Sequence, residues 1–423
     1  MKRLAFAARF GARHAWLWRH RQRIGEQGRE QPRLLVDVSA IIHHDAQTGI
    51  QRVVRAVWSE LRQRHGHGIE VAPVYATHSR GYCYAPLDFL EARPNDLPRV
   101  PVRARANDRF LGLDLSAHFL PKYRRQLRAW RAHGVTIHMI VYDVLPLLKP
   151  QWFSSTAVVN FRNWFRLLTE DVDQAICISR QVSRDLRECV RDRAPLSTLS
   201  IASMQMGGDI ASTRPSEGVC GEVSNLIDRL RFRPAILMVG TIEPRKGHAA
   251  ALPAFELLWR TRGSEAPDLV IVGKPGWKTA ALQKYIQSHP ERGRRLHWLD
   301  QVSDEGLGRL YEASRGLLVA SHAEGFGLPL AEAITQRRPV LARDLAVFRE
   351  QNLPSVLFFE DDRPAALSER LMDLLKIGPL PANMKPDFPT WSSSVDGLLH
   401  ELGISTPART EPLTYKEAIA RQE

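Results

Sequence analysis

No uninterrupted apolar stretch in this chain is long enough to span a bilayer, which excludes a helical membrane span and predicts a soluble or peripheral protein. Cysteine is scarce. Cys83, Cys177, Cys189 and Cys220 are the only four, with neither metal-ligand spacing nor Cys-x-x-Cys, so a reduced compartment is the simpler reading. The 15 histidines form no ligand cluster, and the adjacent His43 and His44 lack companions. Acidic residues are in deficit: 46 Asp and Glu face 59 Lys and Arg, a net charge of +13. There is no internal repeat beyond a general likeness of the two halves. What is present is a globular composition, 44% apolar and 25% charged, in 423 residues, enough for two or three domains that each bury a core.

The positive charge is uneven. Residues 1–33 hold nine Lys or Arg against Glu26 and Glu30, a net +7. On a notional helix Phe6, Phe10, Leu17 and Ile24 share one side, Arg9, Arg13, Arg19 and Arg23 gather on the other, and Trp16 and Trp18 are added. This amphipathic head reads either as an interfacial helix drawn to anionic lipid or as a basic tail without a partner. Arg9 and Arg13 interrupt the apolar run that a secretory signal needs, which predicts a cytosolic-side protein.

The most informative stretch is Ser321 to Glu350, beginning Ser-His-Ala-Glu-Gly-Phe-Gly-Leu-Pro-Leu-Ala-Glu-Ala. An apolar run (316–320) ends in a loop with Gly325 and Gly327, and Pro329 suits a first helical turn: strand, glycine loop, helix. The glycines let backbone N–H groups approach a polar ligand, and the helix start adds a weakly positive dipole end. Glu324 sits in the loop and Glu332 on the helix. Carboxylates accept from sugar hydroxyls while amides donate to phosphate oxygens, so this set suits a sugar nucleotide.

With Gly-Phe-Gly-Leu-Pro between them, Glu324 and Glu332 resemble the E-x7-E signature of retaining glycosyltransferase family 4, enzymes of the GT-B fold. Motifs of that family recur from about residue 34 to 402. The fold it implies is α/β, two Rossmann-like doubly wound domains facing a cleft. The expected organisation is a basic head (1–33), an N-terminal acceptor domain (34–212), a linker (213–230), a C-terminal donor domain (231–385), a final helix (386–403) and a mobile tail (404–423).

Along the chain, 33–39 reads as a buried strand, and 48–65 as a helix opened by Thr48-Gly49-Ile50-Gln51-Arg52. That opening is a helix cap, or a set of free N–H groups facing the cleft. Further strands are expected at 69–76, 136–143, 174–179 and near Met204, with helices around 123–132, 154–170 and 182–191. Alternation of this kind means a parallel sheet covered on both faces, with ligands at strand ends such as Tyr142-Asp143 and Ser179-Arg180. Gly207-Gly208-Asp209 leads to a stretch (210–231) without strong periodicity, read as the linker. A second alternating unit starts with a strand at 235–240, running into Gly240-Thr241-Ile242-Glu243-Pro244-Arg245-Lys246-Gly247-His248. Arg245 and Lys246 form either a solvated pair or a cationic claw for a diphosphate. Strands follow at 269–273, leading to Gly273-Lys274-Pro275-Gly276-Trp277, which resembles a turn that lies near the nucleotide in that family, then at 296–299, 339–342 and 356–360. Ser303 caps a helix, and 391–402 is a last helix.

Carried over residue by residue, the resemblance implies that Glu332 binds the ribose. It places Glu324 and the loop of Gly325, Phe326, Gly327 and Leu328 at the donor sugar. Arg245 and Lys246 neutralise the leaving diphosphate, while Gly240, Gly49, Tyr142 and Lys274 line the donor site. Many members have His-Asp where this chain has Tyr142-Asp143; a tyrosine hydrogen-bonds but carries no positive charge, which bears on the donor sugar more than on the reaction. His138, four residues earlier, reads as a core histidine. The one Asp-x-Asp, Asp171-Val172-Asp173, precedes a strand and reads as a helix-end charge pair, so no metal is expected.

The likeness is nearest to bacterial mannosyl- and rhamnosyltransferases of O-antigen or surface polysaccharide assembly. It implies a GDP-sugar or UDP-sugar donor, no cofactor, and a glycan acceptor carried on lipid at the inner face of the cytoplasmic membrane. Two alternatives remain: a GT-B-like nucleotide-binding scaffold without catalysis, and a nucleic-acid binder. The second lacks aromatic stacking motifs and has its charge concentrated in the head.

Overall fold

The structure, a computed structural model, describes residues 33–45, 48–77, 81–91, 97–208, 216–353, 355–381 and 388–405. The basic head before Arg33, Asp209, the start of the expected linker (213–215) and the tail beyond 405 lie outside the described residues.

The first sheet holds β1 (Arg33–Asp37), β2 (Glu70–Ala76), β3 (Tyr82–Tyr84), β4 (Arg109–Gly112), β5 (Thr136–Val141), β6 (Gln174–Cys177) and β7 (Ser200–Ser203), in the order β3-β2-β1-β4-β5-β6-β7. All pairs are parallel except β2 with β3. β1 is buried along its whole length, which its continuous Leu-Leu-Val run requires of a central parallel strand. Helices α1 (Gly49–Arg64), α2 (Arg124–Ala132), α3 (Ser155–Asp171) and α4 (Arg180–Arg193) pack around it. α1 begins with a reciprocal capping box: Thr48 Oγ1 accepts from the Gln51 N–H at 3.3 Å, and the Gln51 side chain accepts from the Thr48 N–H at 3.3 Å.

The second sheet holds β8 (Ala235–Val239), β9 (Asp268–Val272), β10 (Leu296–Leu299), β11 (Gly316–Val319), β12 (Val340–Arg343) and β13 (Val356–Phe359), all parallel, in the order β10-β9-β8-β11-β12-β13. Its helices include α5 (Gly221–Leu230), α6 (His248–Thr261), α7 (Asp304–Ala313) and α8 (Leu328–Thr335). Alternate β8 residues serve opposite faces: Ile236 and Met238 enter one core, Ala235 and Leu237 the other. The strand order reverses between β8 and β11, the switch point at which a doubly wound sheet opens a ligand crevice. The Gly240–His248 and Ser321–Gly327 loops follow these two strands.

Three expectations need correction. The stretch read as a linker contains α5, whose Val223, Leu226 and Leu230 are buried in the second core. Their i, i+3, i+7 spacing is helical, but three apolar positions without a side-chain cap gave a weak signal. β3 and β4 were not anticipated. β4 is central, paired on both sides, yet Arg-Phe-Leu-Gly is too short to declare itself without its neighbours. The first strand also stops at Asp37, because Ser39 begins a short helix.

The last helix, α9 (Trp391–Glu401), returns from the second half to the first core, where Trp391, Val395, Leu398 and Leu399 are buried. Arg64 of α1 holds it through the Ser392 carbonyl at 3.0 Å and Asp396 at 2.8 Å. Gly207 makes room for the indole: a Cβ there would lie 2.6 Å from the Trp391 ring. Truncating this ring leaves a cavity that a close-packed wall cannot fill. Trp391→Ala is expected to destabilise the protein by about 3–5 kcal/mol in urea titrations. The exposed Val159→Ala should stay within about 0.5 kcal/mol.

Candidate functional site

The carboxyl ends of the two sheets face each other across a cleft of about 1130 Å³, with Gly49, Arg52 and Tyr142 on one wall and Arg245, Glu324 and Glu332 on the other. Gly325 is where the walls meet. Its carbonyl accepts from Ser179 Oγ at 2.7 Å, and a Cβ on it would lie 2.1 Å from the Tyr142 carbonyl oxygen. Phe326 and Leu328 pack against the first core. Gly327 has φ +95° and leaves space that the Phe348 ring fills. The N–H groups of Gly325, Phe326 and Gly327 donate to no acceptor among the described residues, so the loop presents free amides ahead of α8.

Glu324 is clamped. Arg245 Nη1 donates to it at 2.9 Å, Lys246 Nζ at 2.5 Å and Ser321 Oγ at 2.7 Å. Burial alone would raise this carboxyl, but Lys246 and Arg245 outweigh it and hold the group down to about 2. Arg245 also pairs with Glu243 at 2.8 Å. Burial opposes its charge, yet Glu324, Glu243 and Asp143 together keep it firmly protonated. Burial and then Arg245 lower the Lys246 ammonium, and burial raises the Asp143 and Glu243 carboxyls. The expected open claw is thus already engaged by acidic side chains. A diphosphate drawn to these cations would compete with Glu324 for them.

Glu332, 3% exposed, is engaged too. Arg52 Nη1 reaches it from α1, and the Tyr311 hydroxyl donates to its other oxygen at 3.0 Å. Arg52 Nη2 also bonds Asp304 at 2.8 Å, so one guanidinium ties the first half to two carboxylates of the second. Glu332 first, and Asp304 with it, hold the Arg52 charge well above its ordinary range. In the sequence Arg52 stands only as part of the α1 opening, with no role assigned to it. The available signal was its place: a cation in the first turn of a helix opposes the dipole and needs a reason.

The other expected residues divide. Gly49 faces Leu328 across the cleft, where a Cβ would make ordinary contact at 3.6 Å. Gly240, at φ +142°, lies beside the Lys246 side chain. Lys274 lines the cleft and accepts the Ile242 N–H at 3.0 Å through its carbonyl. The Tyr142 hydroxyl does not stand ready for a sugar, because it donates to the Leu113 carbonyl at 2.7 Å in a buried setting; the backbone of Tyr142 is what meets the glycine loop. His138 is buried between Gln174 and Thr136. Asp171 and Asp173 are taken by Arg124, Arg128 and Arg131 around the start of β6, the end of the sheet remote from the cleft.

Residues 231–388 match the family described as Glycosyl transferases group 1. The serotype-specific mannosyltransferase WbdA of Escherichia coli is 36% identical over 390 residues, 90% of this chain and 47% of the relative. The chain therefore spans about half the length of the curated relatives it matches. WaaG, a glycosyltransferase involved in lipopolysaccharide biosynthesis, superposes with a TM-score of 0.53 at 17% identity, covering 88% of this chain and 95% of that one. Anabaena Alr3699/HepE in complex with UDP and glucose gives 0.53 at 15% identity, covering 88% and 95%. The shared fold is GT-B.

The charge inventory has a pH consequence. Asp143 and Glu243 already sit above the ordinary carboxyl range and share the Arg245, Lys246 and Glu324 neighbourhood, and a dianion arriving there favours their neutral forms further. Sugar-nucleotide binding should take up protons, and affinity should fall as pH rises through their pKa values. Calorimetry in buffers of different ionisation enthalpy checks this; identical heats in all buffers would contradict it.

Proposed function

We propose that this chain, whose residues 231–388 are a group 1 glycosyltransferase domain within a GT-B fold, moves a hexose from a sugar nucleotide to a growing glycan. Mannose is the first choice of hexose, rhamnose the second, and GDP the nucleotide favoured over UDP. The acceptor is a lipid-linked glycan of O-antigen or another surface polysaccharide. The reaction belongs on the cytoplasmic side of the inner membrane, with residues 1–33 as the segment that meets anionic lipid. Among the described residues no helix is long and apolar enough to cross a membrane.

One observation carries the reading. Two cations, Arg245 and Lys246, meet the free amides of the Gly325–Gly327 loop around an exchangeable carboxylate at the switch point of the second sheet. In the reaction the bond between the anomeric carbon and the diphosphate oxygen breaks and charge builds on the phosphate. Cations fixed in a cleft largely shielded from water stabilise that charge more than the ground state. The acceptor oxygen bonds the anomeric carbon from the same face, its proton passes to the departing phosphate, and configuration is retained. Glu332 takes the ribose hydroxyls, and Glu324, released from its cations, takes hydroxyls of the transferred sugar. No metal is required by this scheme.

Thermal stability against GDP, UDP, ADP, dTDP and CMP tests it. The nucleotide of the true donor should stabilise the protein by about 2.7 kcal/mol at a hundredfold excess over its dissociation constant. The shift should survive EDTA and disappear in Arg245→Ala and Glu332→Ala. A response to UDP alone would replace the donor, and no response to any nucleotide would overturn the function.

A further inference from the structure

Segments that follow strands of both sheets bring aromatic rings together beside Trp277, which lines the cleft. After β5 the chain runs through Tyr142-Asp143 to a turn at Pro150–Trp152 and then Phe153; after β9 it runs through Gly273 to Trp277. The Phe153 and Trp277 rings stack with centroids 6.2 Å apart and planes 29° apart. Trp277 Nε1 donates to the Trp152 carbonyl at 2.7 Å, and the neighbouring Lys278 Nζ donates to the Gln151 carbonyl at 2.8 Å. The Trp152 ring lies 6.2 Å from His322, whose N–H donates to the Arg245 carbonyl at 2.7 Å. Through His322 the aromatic group reaches the backbone of the turn that carries Arg245.

Trp277 is the one tryptophan among the described residues that stays exposed, at 41%, and it lines the cleft. It is nonetheless held rigidly. The turn that carries it is pinned by Ile242 N–H to the Lys274 carbonyl at 3.0 Å and Thr279 Oγ1 to the Ile242 carbonyl at 2.7 Å. A Cβ on Gly276 would lie 2.5 Å from the Ile242 carbonyl oxygen, so the backbone is in close contact there. A fixed indole with its N–H satisfied and part of its surface open to water is an apolar platform whose surroundings are polar. A pyranose matches it, with an apolar C–H face and a rim of hydroxyls. His322, its pKa lowered by burial and then Arg343, lies at the Trp152 end of the group.

We infer that Trp277, with Trp152 and Phe153, forms the subsite for a pyranose of the acceptor glycan beside the transfer centre. The inference rests on the proposed function and names part of its second substrate. The ribose candidate Glu332 is tied instead to Arg52 and Tyr311, neither of which belongs to this ring group. Because the rings come from both halves, the subsite is complete only while the two sheets stand in this arrangement.

The test uses the full chain and Trp277→Ala, Trp277→Tyr and, as a remote control, Leu196→Ala, with an α-linked mannotriose as probe. The donor is GDP-mannose or UDP-glucose, whichever nucleotide stabilises the parent. Trp277→Ala should raise the mannotriose KM roughly tenfold, keep kcat within about twofold and leave the nucleotide-induced thermal shift intact; Trp277→Tyr should restore most of the affinity. An unchanged KM overturns the subsite, and so does loss of the nucleotide shift in Trp277→Ala, which would give the ring to the donor. A parent that binds nucleotide but neither binds nor glycosylates the mannotriose also overturns the subsite and leaves the functional reading standing. A parent that binds no nucleotide overturns that reading itself.

Discussion

The Glu324 carboxylate, out of water between Arg245 and Lys246, is the contact on which the site depends. Three acidic groups, Asp143, Glu243 and Glu324, confront two cations in this small volume. Removing one partner from such an arrangement leaves an uncompensated buried charge, worth about 3–5 kcal/mol in comparable cases. The clamp therefore holds the two loops together without a ligand and keeps both cations oriented. The same loops lie after adjacent strands because the sheet reverses its order between β8 and β11.

The second constraint is how the halves meet. Ser179 on Gly325, Arg52 on Glu332 and Asp304, Arg184 on Glu350, and the return of α9 to the first core all fix one sheet end against the other. Glu324 and Glu332 thus do double service: each bears on the candidate ligand site and each holds charges that set its geometry. A ligand competing for Glu332 acts on its pair with Arg52, which couples occupancy of the cleft to the fit between the halves.

Much of this was legible in the chain. Glycine punctuation, a proline at a helix start and the eight-residue spacing of two glutamates declared the strand-loop-helix around Glu324, and Thr48 with Gly49 declared the start of α1. Their neighbours in space were not declared, because the partners of Arg52, Ser179 and Tyr142 come from remote parts of the sequence. Tyr142 shows the limit well: its residue type fits a sugar contact, and only the fold reveals that Leu113 has already taken its hydroxyl. β4 and α5 were hidden for the opposite reason, since each is too short or too weakly patterned to stand out until a sheet or helix lies beside it.

The most direct measurement follows the anomeric carbon itself. GDP-mannose isotopically labelled at that carbon, incubated with the protein and a mannose oligosaccharide, would be observed by carbon NMR alongside the release of GDP. The expected result is a new α-glycosidic signal growing in step with GDP. Intact donor in the presence of folded, nucleotide-binding protein would contradict sugar transfer from GDP-mannose, and a β-glycosidic product would contradict retention.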